Sequence, residues 1–318
     1  MKIVSLDGQA LNPGDLSWDC FRQFGEITVY PRTANPEEVI ERLQGVDIVL
    51  LNKVPITEAI LAACPGIKLI CVLATGYNVV DCAAAARRGI PVCNVPAYST
   101  NAVAQFTFAL LLELCNRVGH HDWAVHQGRW SACPNFCFWD TPQMELAGKT
   151  MGIIGFCRIG QAVGRIARAF GMEVLAYNRS RCPEGAAIGV YTDLDDLLAR
   201  SDIVSLHLPL TAENTGMVDD AFLAKMKNGS ILLNTARGGL IDEASMNRAL
   251  TSGKLRGAAV DVAAEEPIPA DSPLLTAHNL IITPHMAWAP LEARQRILEI
   301  TVDSIRSWLN GTPKNQVN

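Results

Sequence analysis

The sequence lacks any apolar run long enough to span a bilayer, and it lacks an excess of positive charge. Its 27 lysines and arginines are outnumbered by 32 aspartates and glutamates, which gives a net charge of −5. This balance gives no indication of binding to nucleic acid or to an anionic membrane surface. The chain also enters a predicted strand at residues 2–6 without an apolar signal segment. We therefore expect a cytoplasmic protein with neither nucleic acid nor membrane among its partners.

The ten cysteines lack the spacing of a disulfide framework or a metal site. They are scattered through 318 residues, and a chain with 49% hydrophobic residues can bury a large core without cross-links. We expect reduced thiols, and the length predicts two domains. Cys133 and Cys137, with His120, His121 and His126 upstream, match no standard zinc spacing. No metal is predicted.

Residues 151–180 have the pattern of a strand, a tight turn, a helix and a second strand. Residues 151–154 form a short apolar run without helical period, and Gly155 ends it. From Arg158, apolar residues recur at helical spacing as far as Gly171, and a second strand is predicted at 172–177. This βαβ pattern is the context in which a glycine frame, here Gly155 to Gly160, binds a dinucleotide.

The chemistry of this frame is that of a pyrophosphate site with one substitution. The helix that begins near Arg158 and Ile159 would point unpaired N–H groups and its positive dipole end at the turn. Gly155 permits the tight turn and Gly160 permits close packing of helix and strand. The middle position, which the phosphates approach most closely, is Cys157 instead of glycine. Taken alone, such a fingerprint is as consistent with a structural turn as with a site.

The second strand lacks the acidic residue that NAD-binding units usually place at its end for the ribose 2′-hydroxyl. Asn178, Arg179 and Ser180 follow it instead. These side chains suit a 2′-phosphate, with Arg179 as a charged fork, and a solvated polar loop is the alternative. We predict an NAD(P) cofactor, with NADP(H) favoured over NAD(H).

Short apolar strands alternate with helical stretches along the first hundred residues, which predicts a parallel sheet with helices on both faces. Strands are predicted at 2–6, 27–30, 47–51, 69–72 and 91–94, and helices at 36–44, 57–63 and 79–88. Asn52 and Lys53 follow one strand, and Thr75, Gly76 and Tyr77 follow the next. Ligands of such sheets bind at the carboxyl ends of strands, so this edge would suit a small carboxylate. An ordinary capped turn is the alternative.

Strands of the second α/β unit also lead to polar or ionisable residues at their carboxyl ends. The strands predicted at 202–208, 230–234, 258–262 and 280–283 deliver His207, Arg237, an acid at Glu265 or Glu266, and His285. Arginine can hold the carboxylate of a 2-keto acid, and histidine beside a carboxylate can move a proton near neutral pH. With a nicotinamide alongside, the set predicts hydride transfer to C2 of a 2-keto acid, with His285 protonating the oxygen. Each residue singly could be structural, but their shared edge indicates a site.

Aromatic residues are few, and several fall in one irregular segment. A helix is predicted at 102–117, and residues 128–141 follow it with Trp130, Phe136, Phe138 and Trp139. Exposed aromatics of this kind indicate a subunit interface. Burial within the same chain is the alternative.

Taken together, these motifs resemble the D-isomer-specific 2-hydroxyacid dehydrogenase family over essentially the full length. The resemblance rests on segments 153–160, 205–211, 234–238, 261–267 and 283–285. Residues 52–53, 95–100 and 139–140 look like its glycerate dehydrogenase/hydroxypyruvate reductase branch. The resemblance implies two doubly wound parallel-sheet domains, with a Rossmann-type dinucleotide-binding domain (100–286) inserted into a flavodoxin-like substrate domain (1–99 and 287–318). It also implies a homodimer.

The resemblance further implies roles for individual residues. The catalytic trio would be Arg237, Glu266 and His285, because the Glu-Pro register selects Glu266 over Glu265. Substrate-binding positions would be Lys53, Thr75, Gly76, Tyr77 and Trp139. Cofactor-binding positions would be Gly155, Cys157, Arg158, Ile159, Gly160, Asn178, Arg179, Ser180, Thr100, His207, Pro209, Thr235, Ala236 and Asp261, the last holding the carboxamide.

Cys157 departs from the family pattern, and we expect it to weaken cofactor binding without abolishing it. Two other classes of function share the architecture. A non-enzymatic, nucleotide-sensing corepressor can retain the same trio, although no partner-recruiting tail or basic patch is visible here. A phosphite- or formate-type dehydrogenase is the second, and formate enzymes have glutamine where this chain has Glu266.

Overall fold

The computed structural model describes all 318 residues, which divide into two compact units. Unit 1 comprises residues 1–99 and 288–318, and unit 2 comprises residues 100–287. The strands are β1 (Lys2–Ser5), β2 (Glu26–Val29), β3 (Ile48–Leu51), β4 (Leu69–Val72), β5 (Val92–Cys93), β6 (Thr150–Ile154), β7 (Glu173–Tyr177), β8 (Val190–Tyr191), β9 (Ile203–Leu206), β10 (Ser230–Asn234), β11 (Leu255–Val260) and β12 (Leu280–Ile282). The α-helices are α1 (Gly8–Leu11), α2 (Pro36–Arg42), α3 (Glu58–Ala63), α4 (Cys82–Arg87), α5 (Thr100–Asn116), α6 (Val118–His126), α7 (Arg158–Ala169), α8 (Pro183–Ala186), α9 (Leu194–Arg200), α10 (Asp220–Lys225), α11 (Glu243–Thr251) and α12 (Leu291–Leu309). None of the helices has the length and apolar character needed to cross a membrane.

Unit 1 is a five-stranded parallel sheet in the order β2-β1-β3-β4-β5, which is the flavodoxin-like order. β3 and β4 are buried at every residue, as expected for strands with helices on both faces. The helices begin at side-chain caps: Asn35 caps α2, Thr57 caps α3 and Asp81 caps α4. The Asp81 cap makes α4 begin at Cys82, three residues later than the predicted start.

Unit 2 is a seven-stranded parallel sheet in the order β12-β11-β10-β9-β6-β7-β8. Chain order reverses between β6 and β9, as in the Rossmann arrangement, so the turn after β6 lies at the switch point of the sheet. The two sheets confirm the predicted fold class. The strand β11 ends at Val260, so Asp261 lies just beyond the sheet instead of within the predicted strand.

Candidate active site

The turn after β6 requires glycine at both ends of the fingerprint. Gly155 has a φ of +93°, and a Cβ atom there would overlap the carbonyl group of His207. A Cβ atom on Gly160 would overlap the carbonyl oxygen of Gly155, so the helix α7 packs closely on the turn. Both glycines therefore serve the roles that the sequence predicts for them.

The start of α7 fits a pyrophosphate group. Cys157 occupies the N-cap position, and its side chain makes no cap hydrogen bond to the helix. Cys157 and Arg158 are exposed, so the N–H groups of the first turn are accessible at the positive end of the helix. An uncapped, exposed helix start at a switch point is the arrangement that binds the phosphates of dinucleotides.

Cys157 takes a backbone conformation that any residue can adopt, with a φ of −92°. Cysteine in place of glycine at position 157 therefore causes no backbone strain. Any effect of this replacement on the site comes from the space that the cysteine side chain fills. The sulfur atom Sγ lies 3.8 Å from Nδ2 of Asn178, and that amide donates to the carbonyl oxygen of Ser180 at 2.8 Å. The thiol thus lies beside the loop that the sequence predicts to receive a 2′-phosphate.

Arg179 of this loop is exposed and acts electrostatically on Glu213. The pKa of Glu213 is lowered, first by a hydrogen bond with Thr211 and to a lesser extent by the charge of Arg179. Arg179 thus lies just beyond the carboxyl end of β7, the edge at which open parallel sheets bind their ligands.

His207, at the end of β9, is a neutral imidazole in the fold. Burial lowers its pKa to about 3, and its Nε2 atom lies 2.8 Å from the hydroxyl of Ser205. Its backbone N–H donates to the carbonyl oxygen of Ile154 at 2.7 Å, which holds the β9 end against the glycine turn. Pro209 follows in an exposed stretch. Directly after β10, the hydroxyl of Thr235 lies 3.0 Å from that of Thr107 on α5.

Arg237 follows β10 on a turn that the buried Asn234 organises. The side-chain oxygen of Asn234 accepts from the N–H of Ala236 at 3.0 Å, and its amide donates to the carbonyl oxygen of Arg237 at 2.8 Å. The guanidinium group is exposed and donates to the carbonyl oxygen of Ala236 at 2.7 Å. Asn234 is absent from the predicted site residues, and its signal in the sequence is a polar residue that ends an apolar strand.

Glu266 and His285 form a side-chain pair. The Nδ1 atom of His285 lies 2.7 Å from Oε2 of Glu266, and Oε1 of Glu266 accepts from the N–H of Ala263 at 3.3 Å. A Cβ atom on Gly238, next to Arg237, would overlap the carbonyl group of Ala263, so the two turns lie in direct contact. An ionised carboxylate can only accept, so this hydrogen bond is made by a ring that carries a proton on Nδ1.

Asp261 holds the turn that carries His285. Its buried carboxylate accepts from the hydroxyl of Thr283 at 2.6 Å and from the N–H groups of Met286 and Ala287 at 2.9 and 2.8 Å. His285 itself has a φ of +51°, in the left-handed region that is uncommon for residues other than glycine. The strained position is held from both sides because Asp261 binds the residues that flank it.

In unit 1, the predicted carboxylate-binding residues lie on two loops at the carboxyl edge of the sheet. The hydroxyl of Thr75 donates to the carbonyl oxygen of Val95 at 2.9 Å, and the side chain of Asn94 donates to the carbonyl oxygen of Thr75 at 2.8 Å. These bonds tie the loop of residues 75–78 to the end of β5. Lys53 and Tyr77 are exposed.

Three of the four aromatic side chains of this segment are exposed, and only Phe138 is half-buried, with the guanidinium group of Arg129 over its ring. Trp130, Phe136 and Trp139 are 53%, 89% and 64% exposed. Asp140 binds Arg129 and His120, and these partners hold the pKa of Asp140 well below its usual value. Of the histidines upstream of Cys133 and Cys137, His120 belongs to this ion cluster, His121 accepts from the N–H of Asp140, and His126 pairs with Asp122. No group of three or more potential ligands is arranged as a metal site.

Fold and site together define a class of protein: a dinucleotide-dependent dehydrogenase with a Rossmann-type unit. Residues 108–287 match the sequence profile described as "D-isomer specific 2-hydroxyacid dehydrogenase, NAD binding domain". The chain belongs to the D-isomer-specific 2-hydroxyacid dehydrogenase family. It is therefore an NAD-binding oxidoreductase that acts on the CH–OH group of donors.

The similarity to individual relatives extends over the whole chain. A hydroxypyruvate reductase of Blautia hydrogenotrophica is 51% identical and covers 100% of both chains. A glycerate dehydrogenase of Methylorubrum extorquens is 40% identical, with 99% of this chain and 98% of the relative covered. Among solved structures, an acyclic imino acid reductase in complex with NADPH and D-Arg is 30% identical, with a TM-score of 0.85 and 100% of both chains covered.

Proposed function

We propose that the protein reduces small 2-keto acids of the hydroxypyruvate and glyoxylate type to D-2-hydroxy acids with NAD(P)H. The observation that carries the proposal is the pair of Glu266 and His285, at 2.7 Å, on turns beside Arg237. The names of the relatives support the substrate class, since they include a hydroxypyruvate reductase, a glycerate dehydrogenase and a glyoxylate reductase.

His285 is the acid and base of the proposed reaction. Glu266 accepts a hydrogen bond from Nδ1–H and so fixes the orientation of the ring. A nicotinamide dinucleotide, when bound, supplies the hydride for C2 of the keto acid. His285 gives its Nε2 proton to the carbonyl oxygen during reduction and takes it back during oxidation. Arg237 holds the substrate carboxylate and polarises its carbonyl through charge-assisted hydrogen bonds.

The remaining predicted residues have supporting roles in the proposal. Unit 1 would bind the substrate through Lys53, through the N–H groups of Thr75 and Gly76, and through the exposed side chain of Tyr77. Unit 2 would hold the pyrophosphate at the start of α7. Its cofactor contacts would come from the positions that resemble those of the family, namely Thr100, Gly155, Cys157, Arg158, Ile159, Gly160, His207, Pro209, Thr235, Ala236 and Asp261.

NADP(H) is the proposed cofactor of preference, and the support is the cationic loop of Asn178, Arg179 and Ser180. Arg179→Ala should lower kcat/KM for NADPH about 10- to 100-fold, the worth of one charge-assisted contact to a phosphate. Use of NADH should change about twofold at most, because NADH carries no 2′-phosphate. Arg200→Ala, which removes an exposed arginine paired with Asp196, is the matched control. An equal loss with both cofactors would refute the assignment.

Cys157 is proposed to restrict the approach of the pyrophosphate. Because its φ is negative, Cys157→Gly removes side-chain volume without relieving backbone strain. We expect the Kd for the cofactor to fall about three- to tenfold, equivalent to ~1 kcal/mol. Calorimetric titration measures it, with Cys182→Ala as the control for loss of a neighbouring thiol. An unchanged or weaker affinity contradicts the proposed obstruction.

A homodimer is the proposed assembly, with the aromatic segment around Trp139 at the subunit interface and Trp139 near substrate. The exposed apolar side chains of that segment support it, since such clusters are typical of interfaces. Sedimentation should give twice the chain mass of 34.4 kDa.

A cytoplasmic location is proposed on the ten free thiols, and cell fractionation tests it.

The direct test of the proposed function is oxidation of NADPH and of NADH, assayed separately with hydroxypyruvate and with glyoxylate. Turnover of at least one pair is expected. Phosphite and formate, offered with the oxidised cofactors, serve as competing substrates. Their turnover in place of the keto acids would contradict the proposal, and cofactor binding without any turnover would indicate a nucleotide sensor.

A further inference from the structure

The end of β1 carries a buried carboxylate that the proposed reaction does not use. Asp7 is only 8% exposed. β1 lies between β2 and β3, and the chain order reverses between β1 and β3. This reversal is the switch point of unit 1, where open parallel sheets bind ligands at the carboxyl ends of their strands. Asp7 follows β1, and Asn52 and Lys53 follow β3 at the same edge.

Both oxygens of Asp7 bind the turn after β3. Oδ1 accepts from the N–H of Asn52 at 2.8 Å, and Oδ2 accepts from the N–H of Lys53 at 2.6 Å. Asp7 also occupies the N-cap position of α1, yet it makes no side-chain cap hydrogen bond to that helix. An aspartate at an N-cap usually accepts from its own first turn. Here the side chain is directed across the switch point to another strand.

This arrangement carries an energetic cost. Burial raises the pKa of the Asp7 carboxyl, and the backbone N–H groups of Lys53, Asn52 and Val54 offset part of the rise. An asparagine would avoid the buried charge, but its amide could accept from only one of the two N–H groups and would oppose the other with a donor. A buried carboxylate at a ligand-binding edge is thus required by the turn that it holds.

The turn presents Lys53. Asn52 and Val54 are buried, whereas Lys53 between them is exposed. Fixing the N–H groups of residues 52 and 53 fixes the direction in which the Lys53 side chain leaves the backbone. We infer that Asp7 is a positioning residue for substrate binding, which holds the β3 turn so that the Lys53 ammonium meets the carboxylate of the 2-keto acid. The inference rests on the proposed function, because it takes Lys53 as a substrate-binding residue.

Asp7→Asn tests the inference through a split between KM and kcat. The KM for hydroxypyruvate should rise about tenfold, the effect of misplacing one charge-assisted contact, while kcat and the KM for NADPH stay within about twofold. Lys53→Met should raise the same KM to a similar extent. The double variant should be no worse than Lys53→Met alone, because Asp7 acts through Lys53. Additive losses, or a loss confined to kcat, would overturn the inference.

Two further variants separate positioning from stability. Asp81→Ala is the matched control in unit 1, since Asp81 accepts from the N–H of Ala84 at 2.9 Å and caps only α4. It should lower the unfolding temperature without changing the KM for hydroxypyruvate. If Asp7→Asn does not fold, Lys53→Met still tests the inference, because the Lys53 side chain is exposed and its replacement should leave the fold intact. An unchanged KM in that variant overturns the inference.

Calorimetric binding of oxamate, an analogue of a 2-keto acid, to the protein with NADPH distinguishes this inference from the proposed function. Wild-type turnover with an unchanged KM in Asp7→Asn overturns the inference alone. No turnover, with oxamate binding weakened about tenfold in Asp7→Asn, overturns the proposed reaction and supports the inference. Absence of both turnover and oxamate binding in the wild-type protein overturns both.

Discussion

Replacement of His285 by alanine should collapse turnover of the 2-keto acid while leaving cofactor affinity largely intact. In the proposed reaction, the imidazole ring of His285 is the group that transfers the proton. Glu266 binds its Nδ1 atom at 2.7 Å, so Nε2 is the atom that faces the substrate in the proposal. General acid–base catalysis contributes about 10²- to 10⁴-fold, and this is the expected loss in kcat. Steady-state kinetics with hydroxypyruvate measures the loss, and calorimetry measures the Kd for NADPH.

His278→Ala is the matched control, since His278 is an exposed histidine of the same unit. It should leave kcat and the Kd for NADPH near their wild-type values. If His285→Ala weakens NADPH binding as much as it lowers turnover, then His285 supports the cofactor site and has no separate role in proton transfer.

Arg237→Lys should be nearly as damaging, although it conserves the charge. The turn built by Asn234 fixes the backbone of Arg237, so a shorter ammonium group cannot move to recover the geometry of a planar fork. Loss of one preorganised donor of this kind costs roughly 10²- to 10³-fold in turnover, and we expect kcat/KM for hydroxypyruvate to fall by that amount. The KM for NADPH should change little.

Arg248→Lys provides the comparison for Arg237→Lys, because Arg248 pairs with Asp220 on the surface, where such pairs contribute little. Its kinetics should equal those of the wild-type protein. Near-normal turnover in Arg237→Lys would refute bidentate binding of the substrate carboxylate.

The parts that the sequence predicts correctly are those with a local periodic signal. Parallel strands place their carboxyl ends at one edge, so polar residues after several strands already indicate a shared edge. The contact between Glu266 and His285 follows this logic, although their positions are 19 residues apart. The choice between Glu265 and Glu266 does not follow from periodicity. It depends on the conformation of the loop that follows β11, which directs Glu266 to His285.

The parts that the sequence does not predict depend on contacts between distant segments. Asp7 lies 45 residues from Asn52, and its role is visible only when β1 and β3 lie side by side. β8 has two residues, too few for a periodic signal. The sequence does not predict the helix α6 either, because this helix exposes Val118, Trp123 and Val125 and so lacks a single apolar face.

Cys157 shows how structure refines a sequence-based expectation. Fingerprint glycines can serve backbone conformation or close approach, and the sequence cannot separate these roles. Gly155 serves conformation, with a φ of +93°, whereas residue 157 has a φ of −92° and is open to any side chain. The expected effect of Cys157 is therefore steric.

Reduction of hydroxypyruvate with NADPH deuterated at both C4 positions tests the central claim most directly. The account predicts D-glycerate with one deuterium at C2, because the hydride passes to the carbonyl carbon while His285 supplies a solvent-exchangeable proton to the oxygen. Mass spectrometry and chiral chromatography of the product report the label and the configuration. L-glycerate, or a product without deuterium at C2, would contradict the account.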